Sequence, residues 1–562
     1  MRKNGRWKEK ILAAGLALAM AAGLGACGSA SGSASSGSSV TGTSGAAVSG
    51  STDAAAVQTG DDIVNIAFTD TVGTVNPLNM DVTFINYYAT SMMFLPLVSF
   101  NNKYEPDYLL AESITTDDNQ TFKVKLKDNA AWSDGEPVTS DDVIYTILKF
   151  TCPAVANPNF DFTPFKGFND DGTSPEGATE IEGIHKTDDK NLEFICKDHM
   201  SLNTFLNNVA TWVCILPKHA IENIPDDQLL TDSWFSHPDV VDGPYFLDDY
   251  DPAHYVSYHA NENYFEGAPK IPKINFRIMQ GSEILAGLKS GEIDMVHPSS
   301  SIPIEDREAV ENLEGFTTKY TDNIINEMTL FNTSKEYLSD PKVRQAIIYA
   351  IDRDTIVKQL LNGQGEVTDG FICSGSPFYN EGKTKLSYDP EKAKELLEEA
   401  GWDSSQTLQY YVSSSDSTAV KAAQLVQQYL QNVGVKIEIN TVDFATLMTI
   451  GGTDEEDFFS VQYTITPNDY WADIKNLIDV QDFSWSGGYY NEKVDADLAK
   501  TQETTDETEL KNLYNEIEEQ VIEDAPMFPM YFQSNLGVVS DRLKNVTPSF
   551  YGAFDNIQEW SV

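Results

Sequence analysis

The chain has 562 residues and a formal net charge of −48, from 86 acidic against 38 basic side chains. Such an acidic surface repels nucleic acids and anionic lipid headgroups, so we expect neither as a binding partner. At about 150 residues per domain, the length predicts roughly three domains.

The N-terminal segment is organised like a secretory signal. The basic stretch MRKNGRWKEK precedes the apolar ILAAGLALAMAAGL and the small residues before Cys27, as in cleaved signals. The ending LGAC resembles the lipobox of bacterial lipoproteins, which implies a signal peptide over 1–26 and lipidation of Cys27. The alternative is an uncleaved anchor in which Cys27 is incidental. Residues 27–60, rich in Gly, Ser, Ala and Thr, predict a flexible tether.

The first elements of the body combine strands with a helix. IVNIAF (63–68) and TFKVKLKD (121–128) have the alternation and residue types of strands. A helix over 139–150 starts with Thr139 as its cap and with Asp142 three residues later.

Later segments predict further helices with clear start signals. The helices over 339–361 and 388–402 open with Asp340 and Asp389, and each Asp is followed by proline at the first helical position. The pattern of 419–440 predicts an amphipathic helix that ends at a glycine and is followed by a strand of β-branched residues. This alternation indicates a mixed α/β body, in which helices cover sheets.

Sequence motifs for catalysis are missing. The chain has no GxSxG, P-loop or HExxH motif, and its seven histidines show no metal-ligand spacing. We therefore predict that it is not an enzyme and that it holds neither a cofactor nor a metal.

Four cysteines follow Cys27: Cys152, Cys196, Cys214 and Cys373. Two disulfides in any of three pairings are possible. Buried free thiols are the favoured interpretation, because a body of this size does not depend on disulfides.

A series of motifs runs through the whole body in a fixed order. It begins with TVNPLN (74–79) and a long block from MMFLPLVSF to DDVIYTI (92–147). DGPYFLDDYDP (242–252) and FNTSKEYLSDPKVRQAIIYAIDRDTIVKQLL (331–361) follow, and APMFPMY (525–531) closes the series. Taken in order, these segments resemble family five of the extracellular solute-binding proteins, which serve ABC importers of peptides, nickel and oligosaccharides.

The resemblance implies an α/β, two-lobe fold like that of periplasmic binding proteins, with mixed sheets and a hinge of two chain crossings. The ligand would be enclosed when the lobes close. Crossings are expected near 315–323 and near Ala525. The implied parts are lobe one at 61–315 with an inserted subdomain at about 104–229, lobe two at 316–524, and a return to lobe one at 525–562.

The resemblance also implies a function. We expect a lipid-anchored, monomeric substrate-binding component on the outer face of a Gram-positive cell membrane, which captures extended oligopeptides for an ABC permease. The alternatives are an oligosaccharide-binding member of the family and a surface sensor or adhesin that does not take part in transport. Nickel and haem are disfavoured because residues 430–500 contain neither His nor Arg.

The segment TPNDYWAD (466–473) holds the main candidate for ligand binding. In the family's peptide binders, the Asp of an Asp-Tyr pair binds the ligand's α-ammonium group, and Asp469-Tyr470 matches that pair. Family members usually have proline soon afterwards, and this chain has none there. The alternative is that Asn468 or Asp469 caps a helix over about 470–480, since Asn and Asp are favoured caps.

The strand before this pair would form one wall of the cleft. Extended peptides bind strand edges through main-chain hydrogen bonds, so the candidates for backbone contacts in 458–467 are Tyr463, Thr464, Ile465 and Thr466. The opposite wall is expected from DVTFINYY (81–88), with Thr83, Phe84 and Asn86 as candidates. Core packing is the alternative for Phe84, as for any aromatic residue.

Aromatic residues crowd the same region, and Tyr470, Trp471 and Trp485 are candidates for ligand contacts. They could hold peptide side chains or stack on sugar rings, and core packing is the alternative for any of them. No arginine lies between Arg353 and Arg542 to meet a peptide carboxylate. This gap argues against a strict dipeptide binder.

Overall fold

The computed structural model describes residue 60 and residues 62–414, 416–478 and 487–562. Cys27, nearly all of the predicted signal and tether, and Trp485 lie outside the described residues.

The strands of the described part are β1 (Ile63–Phe68), β2 (Val98–Phe100), β3 (Pro106–Tyr108), β4 (Ala111–Thr116), β5 (Thr121–Leu126), β6 (Ile184–Lys186), β7 (Asn191–Ile195), β8 (Tyr245–Asp251), β9 (Tyr255–Ala260), β10 (Lys273–Ile278), β11 (Met295–Val296), β12 (Phe316–Tyr320), β13 (Ile325–Phe331), β14 (Gly365–Glu366), β15 (Thr407–Ser413), β16 (Lys436–Val442), β17 (Phe458–Thr464), β18 (Met527–Gln533) and β19 (Leu536–Ser540).

Helices connect and cover these strands. The α-helices of the described part are α1 (Phe84–Ser91), α2 (Ser140–Thr151), α3 (Leu202–Phe205), α4 (Lys218–Ile221), α5 (Gly281–Ser290), α6 (Ile304–Glu311), α7 (Pro341–Ala350), α8 (Arg353–Leu360), α9 (Pro390–Glu399), α10 (Ser417–Asn432), α11 (Phe444–Ile450), α12 (Trp471–Ile478), α13 (Glu492–Glu503) and α14 (Glu507–Asp524). A π-helical turn, Leu206–Ala210, continues α3 directly. Among the described residues, none of the helices combines the length and the apolar character that a membrane crossing needs.

Two large mixed sheets organise the molecule. One has seven strands in the order β12-β19-β11-β1-β10-β9-β8, and β1 runs parallel to both β10 and β11. The other has six strands in the order β14-β18-β13-β17-β15-β16, and β13 runs antiparallel to both of its neighbours. A four-stranded sheet, β4-β5-β7-β6, and the hairpin β2-β3 lie in the segment between β1 and β8.

Strand alternation explains why the six-stranded sheet has a core on each face. Successive side chains of a strand point to opposite faces. On β13, Phe331 belongs to one apolar cluster, together with α7 to α10, while Met328 and Leu330 belong to another, which includes Tyr470 and much of α14. The candidate site therefore lies on one defined face of this sheet.

The chain passes between the two large sheets twice. It leaves the seven-stranded sheet after β12 and enters the six-stranded sheet at β13, so the first passage is 321–324. It returns between β18 and β19, at 534–535. The sequence predicts the second crossing near Ala525, but the buried strand β18 that follows Ala525 still pairs with β13. Strand β12 (316–320) thus pairs within the seven-stranded sheet and groups with lobe one. Strand β18 (527–533) pairs within the six-stranded sheet and groups with lobe two.

Local signals account for several helix starts. The Asp142 side chain accepts hydrogen bonds from the backbone N–H and the hydroxyl of Thr139, and Asp340 accepts one from Lys342 N. The predicted helix over 339–361 is two helices, α7 and α8. The first ends where Ile351 takes an extended conformation, and Asp352 caps the second, because its carboxylate accepts a hydrogen bond from Thr355 N at 3.0 Å.

All four cysteines of the body are buried free thiols: Cys152, Cys196, Cys214 and Cys373. Burial raises the pKa of Cys214 and of Cys373 to about 12. These thiols therefore stay protonated and unreactive at neutral pH, as expected for core residues of a large body.

Candidate functional site

Asp469 lies between the end of β17 and the first residue of α12, and only 4% of its surface is exposed. Its Oδ1 accepts hydrogen bonds from Trp471 N at 3.1 Å and from the Tyr514 hydroxyl at 2.8 Å. Its Oδ2 accepts one from the Thr204 hydroxyl at 2.7 Å. Burial raises the pKa of Asp469, and the three hydrogen bonds partly offset that rise.

The helix-capping alternative is supported for Asp469 but not for Asn468. The bond from Trp471 N satisfies an N–H at the start of α12, which is what a capping side chain does. Asn468 points elsewhere, because its side chain donates to Tyr104 O at 3.4 Å and accepts from Asn207 at 3.4 Å. Capping uses one oxygen of Asp469 and leaves Oδ2 facing the other lobe.

Thr204 belongs to the body of the seven-stranded sheet. Its neighbours Phe205 and Leu206 are part of the apolar cluster that includes β1 and β10. From the same turn, Asn203 donates to Asn468 O at 2.8 Å. The segment 203–207, which covers the end of α3 and the start of the π-turn, therefore joins the two bodies at residues 468 and 469.

A second buried carboxylate lies one helical turn further on. Asp473 is 5% exposed, and it accepts hydrogen bonds from the Tyr463 hydroxyl at 2.9 Å and from Thr466 N at 3.0 Å. Burial and, to a smaller extent, the charge of Asp469 raise the pKa of Asp473 to about 7. The site thus brings together two carboxylates that burial makes hard to ionise.

Strand β17 has different pairing on its two sides near these acids. β17 pairs with β13 along its whole length, whereas its pairing with β15 ends at Ser460. No strand of the described part pairs with the remaining edge at 461–464. Of the predicted backbone contacts, Tyr463 and Thr464 lie on this edge, while Ile465 N donates to Ile324 O and Thr466 N to Asp473.

In the segment 81–88, which is predicted to form the opposite wall, Phe84 lies between the two bodies. Phe84 packs against apolar clusters of both large sheets, and its ring centroid lies 4.6 Å from that of Phe550 and 5.5 Å from that of Tyr551. The Thr83 hydroxyl donates to Asp81. Asn86 is buried and bonded to Gly73 N at 2.8 Å, so it fixes the loop before α1.

The aromatic candidates divide between core and surface. Tyr470 is fully buried among Phe371, Phe378 and Tyr514, as the core-packing alternative predicts. Trp471 is half-buried, and the Lys475 ammonium lies 4.9 Å from its ring centroid. Trp485 lies outside the described residues.

Sequence reasoning missed Thr204, Tyr514 and Asp473. Only Asp473 had a signal, since it follows Asp469 by four residues and such a spacing brings side chains together on a helix. The other two lie 265 and 45 residues away from Asp469, with no motif around them.

Comparison with known proteins identifies the family. A family model described as bacterial extracellular solute-binding proteins, family 5 middle, matches residues 105–506. The chain belongs to this family. Its members are solute-binding proteins of transport systems and not enzymes, as the missing catalytic motifs predicted.

Individual relatives agree with this membership. The oligopeptide-binding protein AppA of Bacillus subtilis (strain 168) is 24% identical over 498 residues, covering 84% of this chain and 86% of AppA. The structure of the ABC transporter substrate-binding protein CtaP from Listeria monocytogenes matches with a TM-score of 0.75 at 24% identity, covering 89% of this chain and 99% of CtaP.

A third comparison is with AppA from Bacillus subtilis in complex with a nonapeptide. That structure matches with a TM-score of 0.67 at 21% identity and covers 89% of this chain and 98% of AppA. The family and these structures confirm the predicted two-lobe α/β fold.

Proposed function

We propose that this solute-binding protein captures extended oligopeptides between its two lobes and delivers them to an ABC permease. The observation that carries the proposal is the pair of buried acids Asp469 and Asp473, which lie just after strand β17, at the place where Thr204 of the other lobe reaches Asp469. A strand edge offers main-chain hydrogen bonds regardless of peptide sequence. The carboxylates offer a place for a positively charged terminus. The peptide-binding relatives support the same conclusion.

In this proposal Asp469 binds the peptide's α-ammonium group. Within the described residues, its Oδ2 accepts one hydrogen bond, from Thr204, and a carboxylate oxygen can accept two. Tyr514 and Trp471 N hold Oδ1 and so orient the group. Tyr463, Thr464, Thr83 and Phe84 remain proposed contacts, and Trp471 is proposed to face a peptide side chain.

The test compares free-amine peptides with their N-acetylated counterparts by calorimetry on residues 61–562. Asp469→Asn should lower affinity for free-amine peptides by about tenfold or more, because a hydrogen bond to a charged group contributes about 1.5 to 3 kcal/mol. Affinity for acetylated peptides should stay unchanged. If acetylated peptides bind equally well to the native protein, the ammonium role is wrong. If only oligosaccharides bind, peptide capture itself is wrong.

We also propose that a lipid on Cys27 anchors the protein to the outer face of the membrane, with 27–60 as the tether and a monomeric two-lobe body beyond it. The family is extracellular by description, which supports this side of the membrane. In cells fed radiolabelled palmitate, the native protein should incorporate label, and Cys27→Ala should not. Label on Cys27→Ala would contradict the anchor, and a dimer by light scattering would contradict the monomer.

A further inference from the structure

Lys383 and Glu518 form a buried ion pair between the loop 370–383 and helix α14. The Lys383 ammonium lies 3.0 Å from Glu518 Oε1, and the two side chains are 3% and 1% exposed. Removing two charges from water is costly, and such pairs often add little net stability. The contribution of this pair is therefore better sought in the backbone groups to which it is hydrogen-bonded.

The pair binds both backbone polar groups of Ile372. Glu518 Oε1 accepts a hydrogen bond from Ile372 N at 2.9 Å, and Lys383 donates to Ile372 O at 3.1 Å. The chain runs so close that a Cβ on Gly370 would lie 1.9 Å from Glu518 Oε1. The loop 370–383 is thus fixed against α14.

The same loop contacts the residues on either side of Asn468 and Asp469. The Ser376 hydroxyl donates to Pro467 O at 2.7 Å. Cys373 Sγ lies 3.8 Å from the Tyr470 hydroxyl, and the Phe378 ring packs against Tyr470. Any shift of this loop moves the backbone that carries Asp469.

α14 also reaches Asp469 directly. Tyr514, one helical turn before Glu518, donates to Asp469 Oδ1 at 2.8 Å. One helix therefore positions the carboxylate in two ways, through the tyrosine and through the loop that the ion pair holds.

We propose that Lys383 and Glu518 are positioning residues of the peptide-ammonium site, which keep Asp469 oriented through the 370–383 loop. This inference rests on the proposed function. Neither residue touches the ligand, so their removal should reduce the preference for a charged N-terminus more than overall binding.

The experiment uses the double variant Lys383→Met/Glu518→Gln, which removes both charges and leaves neither unpaired. Calorimetry measures affinity for one peptide with a free amine and for its N-acetylated form. Affinity for the free-amine form should fall by about tenfold, a usual coupling within one hydrogen-bond network. Affinity for the acetylated form should hardly change. On an Asp469→Asn background, the loss for the free-amine form should disappear.

Asp294→Asn serves as the matched control. It breaks another ion pair, with 2.6 Å between Arg542 Nε and Asp294 Oδ1, in the body of the seven-stranded sheet. This control should lower the melting temperature without changing the ratio of free-amine to acetylated affinity. The same behaviour in the Lys383/Glu518 variant would make that pair merely structural and overturn the inference.

A second variant covers the case in which the double variant does not fold. Ser376→Ala removes the bond from the loop to Pro467 and leaves the ion pair intact, and it too should lower the preference for free-amine peptides. If Ser376→Ala leaves the ratio of free-amine to acetylated affinity unchanged, the loop 370–383 does not position Asp469 and the inference is wrong. If the native protein shows no preference for free amines, the ammonium role of Asp469 fails first, and this inference falls with it.

Discussion

Replacing Thr204 with valine should weaken peptide capture without unfolding either lobe. The substitution keeps the shape of a side chain that is 1% exposed, and it removes the hydroxyl, which donates to Asp469 Oδ2 at 2.7 Å and also lies 2.9 Å from Ser201 Oγ. A hydrogen bond to a charged group is worth about 1.5 to 3 kcal/mol, or roughly 10- to 100-fold in affinity. Because water can replace the threonine in an open cleft, the loss should lie near the lower value.

The matched control for this prediction is Thr211→Val. The Thr211 hydroxyl donates to Leu206 O at 2.9 Å within the same segment and does not bridge the lobes. Calorimetry with one free-amine peptide should show a loss for Thr204→Val and none for Thr211→Val. Small-angle scattering should show less compaction on adding peptide to the Thr204 variant. Equal affinity in both variants would refute the idea that the contact between Thr204 and Asp469 stabilises the closed form.

Three further predictions concern pH. Burial raises the pKa of Asp473 to about 7, and an ammonium group binds a carboxylate better than a protonated carboxyl group. The affinity for free-amine peptides, measured by calorimetry, should therefore fall by up to about tenfold per pH unit below 7. An affinity that does not change with pH would show that Asp473 takes no part in binding. Burial raises the pKa of Glu327 well above its usual value, so its contribution to stability is present at acidic pH and lost as pH rises. Glu327→Gln should therefore resist urea better than the native protein at pH 8 and equally at pH 4. Burial lowers the pKa of His297 from 6.5 to about 3, so its contribution is lost as pH falls through that window at about 1.4 kcal/mol per unit. In urea unfolding at a series of acidic pH values, the free energy of unfolding of His297→Phe should fall less steeply with pH than that of the native protein.

Local structure was largely predictable because its causes are local. A capping carboxylate followed by proline gave the starts of α7 and α9, and the alternating apolar pattern gave β1 and β5. The error over 339–361 is also local, because Asp352 could be read either as a surface residue or as a second cap. The ordered motifs then supplied the two-lobe arrangement, which no local pattern contains.

The surroundings of Asp469 were not predictable, because they depend on how distant segments meet. Thr204 reaches it from a turn in the other body, and Tyr514 from α14, 45 residues further along the chain. Tyr470 shows the reverse case. Its place in an aromatic-rich stretch suggested ligand contact, yet it is fully buried, since the loop at 371–378 covers it.

The energetics of the two buried acids bear on the choice between peptide and sugar. Most carboxylates of the described residues are in contact with water. Asp469 and Asp473 are nearly inaccessible, and in this part of the chain they receive hydrogen bonds from only neutral donors. A neutral sugar ring in the cleft would remove more water and supply no charge, so the cost of ionising both acids would rise. A peptide's ammonium group would instead lower their pKa values and recover part of that cost. In the proposed binding mode, this pair of acids therefore favours a ligand with a free amine, and protons should be released when it binds.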